Sequence, residues 1–408
     1  MGVYSEYLDK NLTGDQLNAE RKRMLVQISQ LRGRDLLVYA ADVTKAQQGA
    51  PVALIYDDLL PVQDQLENLK SQKGSRHAGI DVMLETGGGS GEVAEDIVRI
   101  IRSRYESVAF IVPGMAKSAG TIMVMSGDEI LMDDNSALGP IDAQIQFEGK
   151  QFSAEALIKG FEKIKEESEA TKSLNRAYIP LLQRISPGDL QHAQNALEFA
   201  RKLVRDWLKQ YKFQSWKVHR THSPGAPVSE EQKEFRAAEI AQALCDHSRW
   251  LTHGRSIRMV DLLQLGVEVT DYSATPELAE AIKRYHVLLQ MMFNGTNIYK
   301  IVETPTSQII RFFQQTGFQV PFGPAPPVGL PGPSAQSADA IVVGLQCGKC
   351  QKPHQLQADF DNIKPLQPGN ERFPVNDVFV CNGCGNQINL GAMRQQIELQ
   401  MKRKIVRQ

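Results

Sequence analysis

Short apolar runs alternate with longer stretches in which apolar residues recur every three or four positions. Residues 36–41, 80–84, 108–112 and 129–132 are the short runs, and their length predicts buried strands. Between them, residues 57–70, 92–104 and 118–126 carry helical spacing; in the first, Leu59, Leu60, Val62, Leu66 and Leu69 share one face. Residues 1–32 read as a helical arm, with a cap near Thr13 and apolar positions at Leu17, Met24, Leu25, Ile28 and Leu31. Strands alternating with helices of this length predict an α/β fold, a parallel sheet with helices on both faces. Residues 133–140 have turn chemistry, and residues 153–211 are helical and charged, broken at Pro187-Gly188. An exposed loop over 218–230 follows, then a helix over 232–245, a short amphipathic helix before 265–269, and a helix over 276–293.

The pattern stops at residues 320–333, which are too rich in proline for helix or sheet and predict a stiff, extended linker. The organisation expected is a helical arm (1–32), a main domain (33–319), a linker (320–338), a small β-rich module (339–390) and a basic C-terminal helix (391–408). Composition agrees with a folded chain: 42% of the 408 residues are hydrophobic and 23% charged. A formal net charge of −1 leaves no overall field to draw the protein to nucleic acid or an anionic membrane. No apolar run has the roughly 20 residues of a membrane span. Residues 1–8 lack the basic and apolar regions of a signal peptide, so a cytoplasmic location is expected.

Two strand-to-helix turns of small residues concentrate the chemistry. The first is Glu85-Thr-Gly-Gly-Gly-Ser-Gly91; the second is Gly114-Met-Ala-Lys-Ser-Ala-Gly120. If their strands are parallel neighbours, bare backbone N–H groups face a hydroxyl, that of Ser118, at the mouth of a helix. A nucleophile beside an anion-binding turn is the minimum equipment for acyl transfer. The competing reading makes the glycines a flexible turn and Ser118 an ordinary helix cap.

These turns, followed by Asp128-Glu-Ile-Leu-Met-Asp-Asp-Asn-Ser-Ala-Leu-Gly-Pro-Ile-Asp142 and by Trp250-Leu-Thr-His253 with Leu265-Gly-Val-Glu-Val269, resemble the Clp-fold serine proteases. The nearest branch is the signal peptide peptidase A-like group and its serine dehydrogenase proteinase family. The resemblance spans roughly residues 24–301 and implies a ClpP/crotonase-like superhelix with helical extensions, assembled as a homo-oligomer. On the residues alone, Gly88 or Gly89 with the Ala119 N–H could supply the donors for an oxyanion; the resemblance implies Ser118 as nucleophile and Gly88 with the Ala119 amide as oxyanion hole. Gly87 stands where proline is common in that family. The implied activity is a serine endopeptidase acting on protein or peptide substrates. The alternative is a non-proteolytic member of the same fold, working on an acyl thioester or serving as a scaffold.

No histidine occurs between His77 and His192, so the histidine that Clp proteases carry shortly after the serine is missing. The peptidase A-like relatives use a desolvated lysine instead. Lys159, 41 positions after Ser118, is the candidate base, with Lys163, Lys165 and Lys172 as rivals. His253 is the other candidate, as base or polarising group. His247 and Asp246 fall near the region of the third catalytic residue.

Cys347-Gly-Lys-Cys350 and Cys381-Asn-Gly-Cys384 are two CxxC knuckles 30 residues apart, and predict a tetrahedral Cys₄ site for structural Zn2+, a zinc ribbon. Its expected role is recruitment of substrate or partner. The basic tail over 401–407 leaves nucleic-acid contact as the less favoured alternative.

Overall fold

The apolar runs lie side by side in one sheet because each buries both faces. Along residues 36–41, Leu37, Tyr39 and Ala41 enter one apolar core while Leu36, Val38 and Ala40 enter another, the two-residue period of a strand covered on both sides. The computed structural model describes residues 2–69, 77–147, 150–219, 223–313, 339–347, 349–350, 352–401 and 403–406. The linker expected over 320–338 lies outside the described residues. The chain divides into two compact units, Met1–Phe293 with Ile298–Phe312, and Asn294–Asn297 with Phe313–Gln408.

In order, the chain runs α1 (Val3–Lys10), α2 (Gly14–Arg32), β1 (Asp35–Ala41), α3 (Leu59–Asn68), β2 (His77–Glu85), α4 (Gly91–Arg104) and β3 (Tyr105–Ile111). There follow β4 (Met115–Ala116), α5 (Ala119–Val124), β5 (Glu129–Met132), β6 (Ala137–Leu138), β7 (Gln144–Phe147) and β8 (Lys150–Ser153). Helices α6 (Ala154–Thr171), α7 (Ile179–Leu182), α8 (Pro187–Trp207), α9 (Glu230–Cys245), α10 (His247–Trp250) and α11 (Met259–Gln264) come next. The first unit closes with β9 (Thr270–Asp271), α12 (Pro276–Gly295), β10 (Ile298–Glu303) and β11 (Gln308–Phe312).

The main sheet has the order β11-β10-β1-β2-β3-β5-β9. The strands β1, β2, β3, β5 and β9 pair in parallel, and β10 and β11 extend the sheet antiparallel beside β1. Helices α3, α4, α5 and α9 cover one face through Val62, Ile97, Ile122 and Ile240. Helices α1, α2 and α12 cover the other through Tyr7, Leu25 and Tyr285, so the expected N-terminal arm belongs to the sheet's own packing. The parallel α/β expectation holds, and β10 and β11 add an antiparallel edge to it.

The edge strand is fixed from inside. Lys300 on β10, fully buried, places Nζ 2.9 and 2.8 Å from the two oxygens of Asp58, also fully buried, and 2.9 Å from the carbonyl of Ala53. Asp58 also accepts from the Tyr39 hydroxyl at 2.9 Å and from the Ile55 N–H at 3.0 Å. The pair thereby binds the segment before α3 to strands β1 and β10.

In the second unit β12 (Ala340–Gln346), β13 (Pro353–Asp359) and β14 (Glu371–Arg372) form one sheet, β15 (Val378–Val380) and β16 (Gln387–Asn389) another, and α13 (Gly391–Met401) follows. Its core includes Leu345, Leu356, Phe360, Phe373, Phe379 and Ile397. The basic helix expected to reach residue 408 stops at Met401. Ile405 is buried in the same core and pairs with Phe360, so the chain turns back there.

Removing one partner of a buried pair strands the other charge. Lys300→Met is expected to lower stability by about 3–5 kcal/mol. Adding Asp58→Asn should recover part of that loss. Denaturant unfolding followed by tryptophan fluorescence measures both, since Trp207, Trp216 and Trp250 all lie in the first unit.

Candidate functional site

The two glycine- and serine-bearing turns are joined by backbone hydrogen bonds. Thr86 N–H donates to Met115 O at 2.9 Å, and Lys117 N–H donates to Thr86 O at 3.0 Å. On its other side the glycine turn is held by Leu54, whose N–H reaches Gly88 O at 2.9 Å and whose carbonyl accepts from Ser90 N–H at 3.0 Å. Ser90 then caps α4, its hydroxyl accepting from Val93 N–H at 3.1 Å.

Ser118 has φ +52° and ψ −118°, a conformation that costs an L-residue on the order of 1–3 kcal/mol. It occupies the cap position of α5, yet its hydroxyl makes no capping bond, so the ordinary helix-cap reading does not describe it. The strained Ser118 lines a cavity of about 870 Å³. Gly88, with φ +104°, runs against it: a Cβ there would stand 2.6 Å from Ser118 Cβ. Gly88 N–H is engaged by the Thr86 hydroxyl at 3.1 Å. Among the described residues the N–H groups of Gly89 and Ala119 have no acceptor, and both residues line the same cavity.

Asp142, His192 and His253 supply further polar groups to this cavity, and Ile122, Ile141 and Phe199 are among its apolar walls. Asp142 arrives because the loop before it is pinned to α5: the Thr121 hydroxyl lies 2.8 Å from Ala116 O and 2.9 Å from Gly139 O, and accepts from Gly139 N–H at 3.0 Å. The Asp142 side chain is 1% exposed. It accepts from Ser153 Oγ at 2.6 Å, from Gln144 Nε2 at 2.8 Å and lies 2.8 Å from His247 Nδ1. His253 Nδ1 is 4.0 Å from the same carboxylate, buried and without a hydrogen-bond partner. Burial holds the His253 imidazole below its ordinary value; Asp142 opposes that shift and Lys117 reinforces it. Lys117 itself donates to Gly254 O at 2.5 Å and so tethers the loop carrying His253.

Lys159 is not brought to Ser118. Its side chain is half exposed; Nζ lies 2.5 Å from Glu155 Oε1 and donates to Ser248 Oγ at 2.7 Å. The hydrogen bond that Lys159 donates to Glu155 raises its pKa, the reverse of what a neutral lysine base needs. Lys163, Lys165 and Lys172 lie in or at the end of the solvent-facing α6 and do not line the cavity. Asp142 stands in the motif that ends at residue 142, but its place at the cavity depends on the pinned loop, which spacing does not reveal.

In the second unit, the Sγ atoms of Cys347, Cys350, Cys381 and Cys384 lie within 4.8 Å of one another, an arrangement that could hold a metal ion. Cys347 and Cys384 are 3.6 Å apart, as are Cys350 and Cys381, close to the about 3.8 Å edge of a tetrahedron of thiolates around one ion. Gly383 N–H points at Cys381 Sγ from 3.4 Å, and His354 Nε2 stands 3.3 Å from it with Glu371 2.8 Å from Nδ1. The basic tail is partly neutralised within the unit: Arg403 pairs with Asp361 and Asp339. No helix among the described residues is long and apolar enough to cross a membrane.

Residues 7–180 match the family described as ClpP-like SDH-type serine proteinase. That match bears out the resemblance over the residues it covers and, with the α/β architecture, a ClpP-like fold. Two uncharacterized proteins of Methanocaldococcus jannaschii are similar, at 25% identity over 52% of this chain and 28% over 32%. The matched regions span 60% and 47% of those relatives' lengths. Among solved structures, a variant of the 1510-N membrane-bound stomatin-specific protease aligns at 15% identity, over 56% of this chain and 79% of its own, with a TM-score of 0.30. A probable enoyl-CoA hydratase/isomerase from Mycobacterium abscessus aligns at 10% identity, over 50% and 85%, with a TM-score of 0.21.

A side chain at Gly89 would run into the backbone of Leu54, and its φ of +150° disfavours one in any case. Gly89→Ala is expected to break the Leu54–Gly88 and Leu54–Ser90 bonds and to destabilise by about 2 kcal/mol or more. Faster amide hydrogen exchange at Leu54 and Ser90, with a lower melting temperature, reports this.

Proposed function

We propose that the chain is a serine endopeptidase that cleaves peptide bonds through an acyl-enzyme, with Ser118 as nucleophile, His253 as general base and Asp142 as its carboxylate partner. The observation that carries this is the strained Ser118, set beside the free amides of Gly89 and Ala119 in the cavity that also holds His253 and the buried Asp142. His253 Nε2 takes the hydroxyl proton as Oγ attacks the substrate carbonyl carbon. The amides of Gly89 and Ala119 receive the developing oxyanion; the Gly88 amide stays with Thr86 and shapes the turn. The proton passes from His253 to the leaving amine, and water, deprotonated by the same histidine, then hydrolyses the ester. Asp142 stabilises the imidazolium formed at each stage. Lys159 serves instead to fasten the loop of His247 and Ser248 to α6.

The four cysteines suit Zn2+ in donor type and spacing, and the ion would be structural, since four thiolates fill its coordination. Bound there, it would crosslink the two knuckles of a module with a small apolar core; we assign that module to recruitment of substrate or partner. The chain's substrates are peptides and it assembles as a homo-oligomer, which sedimentation reads.

Ser118→Ala is expected to abolish both fluorophosphonate labelling and peptide cleavage. His253→Ala should lower the labelling rate about 10²–10⁴-fold, and Lys159→Met should leave it within about threefold. Failure of the wild type to label would overturn the serine reading; labelling without cleavage across a peptide panel would redirect it to other acyl substrates.

Because His253 must be neutral to accept a proton and burial lowers its pKa, the labelling rate should rise with pH through a midpoint below 6.5 and then level. A lysine base would instead keep the rate rising above pH 8.

Freshly purified, reduced protein should contain about one zinc per chain by mass spectrometry. Cys381→Ser should lose it, and chelation should unfold the second unit, read by loss of amide dispersion.

A further inference from the structure

Two histidines of one segment compete for one carboxylate. His247 opens α10 and His253 follows it by little more than a turn of chain. Both direct Nδ1 toward Oδ2 of Asp142, at 2.8 Å from His247 and 4.0 Å from His253. An ionised carboxylate oxygen has two in-plane acceptor positions. On Oδ2 these are met by His247 and by Gln144, each at 2.8 Å, while Oδ1 takes the Ser153 hydroxyl at 2.6 Å. The position that would receive His253 Nδ1–H is therefore occupied, and the buried Nδ1 of His253 is left without a partner.

We infer that His247 is a positioning residue that holds Asp142 away from His253, so that the reactive arrangement forms only when His247 withdraws. This rests on the reading of Ser118 and His253 as nucleophile and base.

The surroundings make such an exchange local. His247 is 30% exposed at its side chain, whereas Asp142 is enclosed, so the histidine has room to leave and the carboxylate does not. The segment carrying His247 is fastened to α6 by Glu155, which accepts from His247 N–H at 2.7 Å, and by Lys159 through Ser248. The charged groups around the pair include Glu155 and Lys159 from α6, Arg201 from α8, Asp246 ahead of α10, and Lys117 between β4 and Ser118. A bound peptide that shifts the outer segment would release Oδ2 to His253 without moving the pinned loop of Asp142. The inward shift His253 needs is about 1 Å, the difference between 4.0 Å and an ordinary hydrogen bond.

The test compares full-length wild type with His247→Phe, which keeps a ring without a donor, His247→Leu as a second donorless variant, and His247→Gln, which keeps an N–H. Thermal melts select the variants that fold. The donorless variants are expected to label with a fluorophosphonate roughly tenfold faster than wild type, and His247→Gln at close to the wild-type rate. In the same samples, the Nδ1 proton of His253 should move downfield in the proton NMR spectrum on removal of the donor, as a new hydrogen bond to Asp142 forms. An unmoved His253 resonance, or a slower labelling rate in the donorless variants, overturns the inference. If wild type and every variant fail to label, the hydrolase reading falls; the resonance still decides whether His247 and His253 compete for Asp142.

Discussion

The arrangement depends on the close approach of Gly88 to Ser118. A strained serine persists only where its surroundings over-determine its backbone. Here β4 is hydrogen-bonded to the glycine turn on one side, and the turn is hydrogen-bonded to Leu54 on the other. The absence of a side chain at Gly88 lets the two turns meet at a separation that no Cβ would tolerate. The same contact leaves Gly89 and Ala119 amides beside the hydroxyl, so strain, proximity and free donors have one common origin.

Around that contact the first unit distributes its buried charges as fasteners. Lys300 with Asp58 ties the edge strand to the segment before α3. Arg32 bonds Asp81 and Glu129, and Arg102 bonds Asp128, linking α2 and α4 to the main sheet. Each charge satisfies several groups, as burial requires. The Asp142 cluster differs. Its carboxylate has its donors, yet the Nδ1 of the neighbouring His253 has no partner, and that imbalance sits at the cavity.

Much of this was legible in the chain. The two-face burial of 36–41, 80–84 and 108–112 follows from near-continuous apolar runs, and the small-residue turns mark where backbones cross. The proposed nucleophile and amides were readable because their geometry is local to two turns. The proposed base was not. Lys159 had a plausible interval from Ser118, but an interval along the chain does not say which way a helical side chain points, and α6 turns it to Glu155 and solvent. His253 stood in a motif, while Asp142 needed the Thr121–Gly139 bonds to bring it inward. The strands β10 and β11 went unread because they follow a long helix and join the sheet at an edge far from their place in the chain. The cysteine knuckles were clear for the opposite reason: each is complete within four residues.

Lys300 lies late in the chain, yet it holds the carbonyl of Ala53 and the carboxylate of Asp58, on either side of the Leu54 that grips the glycine turn. The stretch 7–180 that matches the proteinase family includes Ser118 but neither His253 nor Lys300. The support of the cleft accordingly extends beyond the stretch 7–180 that matches the family. It runs through β10, because the far edge of the sheet serves as the abutment for the turn beside the serine.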